Sequence, residues 1–208
     1  GNDGRKSQLP LYGAENEGYG AAYGSITSPG NDPYIITVGA IKPGATRSQS
    51  KIATYSGRGP SRLDYVLKPD IVAPGDGIIS LRRPLGTLEL TSPFNVVSPS
   101  SYIRNPGLFT TSSYFQMSGT SMAAPVVAGA AALLLQANPG LNPDTVKARL
   151  MLSADKWVGA GGEVDPCTYG AGSLNIPAAI ASDFLPLEPA ISPTLRRELD
   201  GSSLTLLF

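Results

Sequence analysis

The chain has 208 residues, 41% hydrophobic and 15% charged, enough apolar surface for one folded domain with a sizeable core rather than a disordered segment. Lys+Arg and Asp+Glu balance at 16 each, so charge alone gives no case for a nucleic-acid partner or an anionic membrane. Zero histidines and a single cysteine exclude an internal disulfide, a zinc constellation and any histidine base supplied from within this chain.

In chain order, Gly1-Asn2-Asp3-Gly4 reads as a tight turn. Residues 5–33 are polar and rich in Gly, Tyr and Ser, a loop region that closes on the turn Ser28-Pro29-Gly30. Tyr34 to Ile41 is β-branched and nearly continuous in apolar character, which predicts a strand buried on both faces of a parallel sheet. Ile52 to Ser56 predicts a second strand, followed by the turn-rich string Ser56-Gly57-Arg58-Gly59-Pro60, in which Arg58 reads as a solvated loop charge. Ile71-Val72-Ala73 predicts a short buried strand that turns at Pro74-Gly75, with Asp70 before it as a turn or backbone-capping residue. Gly77 to Leu81 predicts another strand.

Residues 82–112 carry Pro84, Pro93, Pro99 and Pro106 among many Ser and Thr, with no sustained period, and read as a long structureless connection. Tyr114 to Met117 predicts a strand that delivers Ser118-Gly119-Thr120-Ser121 to an apolar run, Met122 to Leu135. That run, interrupted by Pro125 and Gly129, falls short of the ~18–20 residues a membrane span needs. Its small residues on nearly every face predict a fully buried central helix that begins close to Ser121, since Pro125 is tolerated best in a first turn. Ser121 at such a helix start is open to two readings, an N-cap or a nucleophile whose own N–H helps hold a developing oxyanion.

Asn138-Pro139-Gly140 ends the helix. Asn142-Pro143-Asp144 begins another, with Val146, Leu150 and Ala154 on its apolar face. Cys167 reads as a small, half-buried side chain without reactive character. Ile176 to Ala181 predicts a last short helix. Leu204 to Phe208 forms a terminal strand, docks on the core or runs on toward further structure; Arg196, Arg197, Glu198 and Asp200 read as solvated charge.

The string Gly119-Thr120-Ser121-Met122-Ala123-Ala124-Pro125 resembles the active-site serine motif of the subtilisin-like serine proteases, the subtilases, with Ser121 as nucleophile. Four further stretches match in the family's order: Gly1-Asn2-Asp3-Gly4, Ser56 to Pro60, Lys68 to Gly75, and the closing segment Gly170-Ala171-Gly172-Ser173-Leu174-Asn175. The resemblance covers about residues 1–181, with 82–112 as an insertion and 182–208 as a C-terminal extension. It implies an α/β, subtilisin-like three-layer fold with a mostly parallel sheet and a buried central helix, incomplete at its N-terminal side.

The resemblance also implies roles for particular residues. Asn2 would donate to the oxyanion, Thr120 would be a secondary oxyanion contact, and Ser28, Pro29 and Gly30 would border the pocket for the substrate side chain before the cut bond. The family's catalytic Asp and His precede the Ser in chain order and are expected in a missing N-terminal portion, on the same parent chain or an associated one. The expected reaction is endoproteolysis of a polypeptide substrate through an acyl-enzyme on Ser121. No cofactor is required, calcium is possible by resemblance only, and an extracellular or cell-envelope location is the family's. The alternative is a catalytically inactive binding or processing fragment. Cut from its neighbours, such a chain is expected to expose apolar surface and to be poorly soluble, oligomeric or rearranged on its own.

Overall fold

The computed structural model describes residues 1–5, 20–46, 49–157, 164–197 and 204–207. At its centre, strand β1 (Val38–Lys42) pairs in parallel with β3 (Ile71–Pro74), with Val38 opposite Ile71 and Ala40 opposite Ala73. On its other side β1 meets the short antiparallel β2 (Lys51–Ile52). The closing segment extends the sheet past β3: Val72 N–H donates to the Gly172 carbonyl (3.0 Å) and Leu174 N–H to that of Val72 (2.9 Å).

Helix α2 (Thr120–Ala137) lies across β1 and β3. Its face Ala123, Val127, Ala130 and Leu134 joins Ala40, Ile71 and Ala73 in one core, completed by Val146 and Leu150 of α3 (Pro143–Leu152) and Ala179 of α5 (Ile176–Ala181). Alanines at the crossing let helix and sheet backbones approach, and burial of Val127 and Leu134 stabilises the contact by about 1.5–3 kcal/mol each. The expected cap is present at α3, where Asn142 Oδ1 accepts from Thr145 N–H (2.8 Å), and Asn175 caps α5 in the same way, its Oδ1 accepting from Ala178 N–H (3.1 Å).

Three expectations need correction. The first concerns α2, which is not buried all round. Ala124, Ala128, Gly129 and Ala132 are exposed, as are Leu133 (44%) and Leu135 (41%), because the described elements cover one face only. The helix also begins at Thr120, so Pro125 lies inside it and leaves the Ser121 carbonyl without its i+4 donor. At 18 residues α2 is long and apolar enough to cross a membrane by length and composition, although one of its faces packs on the sheet.

Second, residues 34–37 are not strand. Side chains take most of their backbone partners: Lys147 Nζ donates to the carbonyls of Ile35 (3.1 Å) and, just before the segment, Pro33 (2.6 Å), and Thr37 N–H donates to the Asp70 carboxylate (2.6 Å), while the Thr37 carbonyl keeps a backbone bond from Asp70 N–H (2.8 Å). The strand expected over 52–56 likewise shrinks to β2, because Ser56 N–H turns back to the Ala53 carbonyl while its hydroxyl accepts from Ala40 N–H (3.0 Å).

Third, residues 82–112 are not structureless. They link β4 (Ile78–Leu81) to its antiparallel partner β5 (Tyr114–Met117) through α1 (Thr87–Thr91) and two single 3-10 turns. Arg82 grips Glu89 through two nitrogens and the Ser112 carbonyl through a third (2.9 Å), while Tyr102 packs edge-on against Tyr114 at 4.8 Å.

Beyond the short helix α4 (Pro166–Tyr169) and α5, the chain returns to the core. Leu67 N–H donates to the Pro193 carbonyl (2.8 Å), and β6 (Thr194–Arg197) pairs with β7 (Leu204–Leu207), the terminal strand that is one of three readings of that segment. Arg196 is exposed; Glu198, Asp200 and the side chain of Arg197 lie outside the described residues.

Candidate active site

Four stretches far apart in sequence meet at the start of α2. Strand β5 ends at Met117, and Gly119 N–H donates to the Gly75 carbonyl (2.8 Å). The same carbonyl accepts from the Tyr55 hydroxyl (3.1 Å), whose pKa is pushed well up by burial and by Asp76, so it stays a donor. The Pro74-Gly75 turn and the 54–58 loop thus brace the residue immediately before the helix.

Gly119 has no side chain with which to cap α2, so the first N–H groups of the helix need outside partners. Asn2 supplies one: its Oδ1 accepts from both the N–H (3.0 Å) and the hydroxyl (2.9 Å) of Thr120. A backbone N–H can only donate, so the atom facing it must be the amide oxygen, and Nδ2 faces the other way. A Cβ placed on Gly119 would meet Nδ2 of Asn2 at 3.3 Å and the backbone nitrogen of Ser121 at 3.7 Å. Two N–H donors therefore flank one point beside Gly119, and a side chain at 119 would fill it. Among the described residues Ser121 N–H has no acceptor and Ser121 Oγ no partner; the side chain is exposed, one residue into the positive end of an 18-residue helix.

The turn that carries Asn2 is anchored at both ends. Gly57 N–H donates to the Gly1 carbonyl (2.9 Å), Gly4 N–H to that of Tyr55 (2.9 Å), and Ala22 N–H to that of Gly4 (2.8 Å). Gly4 sits so close that a Cβ would fall 1.6 Å from the Ser56 carbonyl oxygen. Arg58 corrects the sequence reading: it is 7% exposed, not solvated, and its Nη1 donates to the Gly4 carbonyl and, at 3.5 Å, to that of Thr54. The signal for this, Ser56 to Pro60, is visible in the sequence, but nothing local says what its arginine reaches.

Ser28 and Pro29 are exposed and Gly30 half-buried, in a turn tied down where the Gly30 carbonyl accepts from the Thr37 hydroxyl (2.7 Å). Ile26, two residues earlier, lies beside Gly57, which in turn bonds to Gly1, so this turn leaves from the flank of the Asn2 turn. Asp70 is structural. It accepts from the half-buried Thr37 N–H and, among deeply buried groups, from Lys68 Nζ (2.7 Å) and the Ser192 hydroxyl, with Lys147 Nζ 3.7 Å away. Cys167 is half-buried, its thiol pushed up to about 11 chiefly by burial. Among the described residues no group of three or more His, Cys, Asp or Glu is placed to hold a metal ion.

A sheet built on the parallel pair β1 and β3 and crossed by a small-residue helix, with an exposed serine at the helix start and an asparagine amide beside it, defines the class: a subtilisin-like fold. The chain belongs to the Subtilase family, Peptidase_S8, whose profile matches residues 1–172. It is 44% identical over 153 residues to the serine protease AprX of Bacillus subtilis, a match covering 73% of this chain and 30% of AprX. It is 33% identical over 159 residues to the minor extracellular protease Vpr of the same organism, covering 71% of this chain and 17% of Vpr. Among solved structures it resembles fervidolysin of Fervidobacterium pennivorans, a keratinolytic enzyme related to subtilisin, with a TM-score of 0.54 at 24% identity over 77% of this chain and 21% of fervidolysin. The chain thus spans less than a third of the length of each of these proteins.

Proposed function

We propose that this chain is the serine-bearing part of a subtilisin-like endopeptidase whose catalytic Asp and His come from a portion outside it. The single observation behind this reading is the pair of donors beside Gly119. Ser121 Oγ attacks the carbonyl carbon of a polypeptide substrate, and the histidine of the other portion takes its proton. The carbonyl oxygen gathers negative charge as the tetrahedral intermediate forms, and Ser121 N–H and Asn2 Nδ2 hold it; Thr120 is a secondary contributor, through the amide it orients. The histidine then protonates the leaving amine, and water hydrolyses the acyl-Ser121 ester. Ser28, Pro29 and Gly30 border the substrate side chain before the cut bond.

Two features support a contribution from outside the chain. It has no histidine, and α2 presents an apolar face that the described elements do not cover. The step requires no cofactor, and calcium enters by family resemblance only. An extracellular or cell-envelope location agrees with Vpr, named as an extracellular protease. The absence of histidine also favours a second reading, a non-catalytic binding or processing fragment. The test is hydrolysis of casein and of a chromogenic peptide by the protein with its upstream region present, against Ser121→Ala. Hydrolysis that vanishes in Ser121→Ala supports the endopeptidase; a folded protein with no hydrolysis in either form favours the fragment.

A further inference from the structure

We infer that Arg58 is a positioning residue for the oxyanion donor Asn2, acting through the Gly4 carbonyl; this rests on the endopeptidase reading. Gly1, Asn2 and Asp3 are all exposed, so the placement of Asn2 depends on the anchors at either end of its turn and on Thr120. At the Gly1 end the anchor is a single backbone bond from Gly57. At the Gly4 end the carbonyl, two residues from Asn2, accepts both a backbone N–H from Ala22 and the guanidinium of a residue 54 positions away. A hydrogen bond from a buried ionised donor is stronger than a neutral one, and a planar guanidinium fixes direction as well as distance.

Arg58 is itself held. Its N–H donates to the Ser25 hydroxyl (2.9 Å), and its carbonyl accepts from Ser25 N–H (2.9 Å). The backbone that carries the guanidinium is therefore fixed, and the side chain, 7% exposed, reaches the Gly4 carbonyl from that base as a strut. Gly4 has no side chain of its own to resist displacement, and none fits there, so the strut bears directly on the peptide plane. A donor displaced by a fraction of an ångström still binds substrate but loses its grip on charge that develops only in the transition state.

The experiment is a double-mutant cycle in the protein with its upstream region present, reading kcat and KM on a chromogenic peptide for Arg58→Met, Asn2→Ala and the pair. Arg58→Met is expected to lower kcat by roughly 10–100-fold with KM changed by less than about twofold, a smaller loss than the roughly 10²–10³ that removal of one oxyanion donor costs in a subtilisin. In the Asn2→Ala background the same substitution is expected to cost less than about twofold, because the group it positions is gone. Arg58→Lys, which keeps a charged donor, is expected to recover part of the loss, and it replaces Arg58→Met in the cycle if the latter does not fold. An equal loss in both backgrounds, or none in either, overturns the inference while Ser121-dependent hydrolysis leaves the protease reading standing. Hydrolysis undiminished in Ser121→Ala overturns both.

Discussion

Asn2 and Thr120, 118 positions apart, share one acceptor: the Asn2 amide oxygen takes both the N–H and the hydroxyl proton of Thr120. The second bond settles a question that the first leaves open. A single bond to the helix N–H orients the amide; two bonds from one residue also fix its plane, and with it the direction of Nδ2. Thr120→Val keeps the shape and the N–H but removes the hydroxyl. Loss of one neutral hydrogen bond, about 0.5–1.5 kcal/mol, is expected to lower kcat by about three- to tenfold with KM unchanged. Thr120→Ser is expected to retain activity. Steady-state kinetics on the two variants checks this, and wild-type kcat in Thr120→Val would contradict it.

The buried cluster beneath the sheet carries stability rather than chemistry. Asp70 is the shared counterion of Lys68 and Lys147, all three at most 2% exposed. Asp70→Asn preserves the volume and removes the carboxylate that the two buried lysines share. Breaking a buried pair from one side costs about 3–5 kcal/mol, so a large fall in the denaturant midpoint is expected. A shift worth less than about 1 kcal/mol would show that water or another group compensates.

Lys147 gives that cluster a pH dependence. Its pKa is lowered, first by burial, with Lys68 adding to the effect and Asp70 opposing it. Below the lowered value the folded state holds a penalised charge. As pH rises from there toward the ordinary lysine value, near 10.4, the folded state sheds the proton while the unfolded chain keeps it, so this contribution to stability rises. Melting temperatures between about pH 8 and 10 are expected to change less favourably with pH in Lys147→Met than in wild type. Parallel profiles would contradict the assignment.

Cys167 should be sluggish. A thiol at about 11 leaves little thiolate at pH 8, so alkylation by iodoacetamide is expected to be about two orders of magnitude slower than for a free cysteine. Labelling at the rate of free cysteine would mean that the 165–169 segment opens readily.

What the sequence reveals of this molecule follows the reach of each interaction. The start of α2 is legible to within one residue because Gly119 and the apolar run after it are local signals. The cap Asn142 is legible for the same reason. The burial of Arg58 is not, since its partner is Gly4, and the loss of strand at 34–37 is not, since it depends on Lys147 and Asp70 taking over backbone bonds. The turns within 82–112 escape notice because side-chain contacts, not periodicity, hold them: the Arg82–Glu89 clasp at α1 and the bonds of Ser112 and Tyr102 further on. Ser121 and Asn2 are both legible as candidates through the family motifs. That the Asn2 amide faces the space beside Gly119 emerges only when residues at opposite ends of the match are placed together.

The central claim is that Ser121 is a nucleophile completed from outside this chain. The most direct test is labelling with a fluorophosphonate, which reacts only with an activated serine, on the 208-residue chain alone and on the protein with its upstream region present. The account predicts that Ser121 is labelled in the longer protein, that Ser121→Ala abolishes the signal, and that the isolated chain stays unlabelled. A longer protein that is well folded yet unlabelled, or an isolated chain that labels at Ser121, would contradict it.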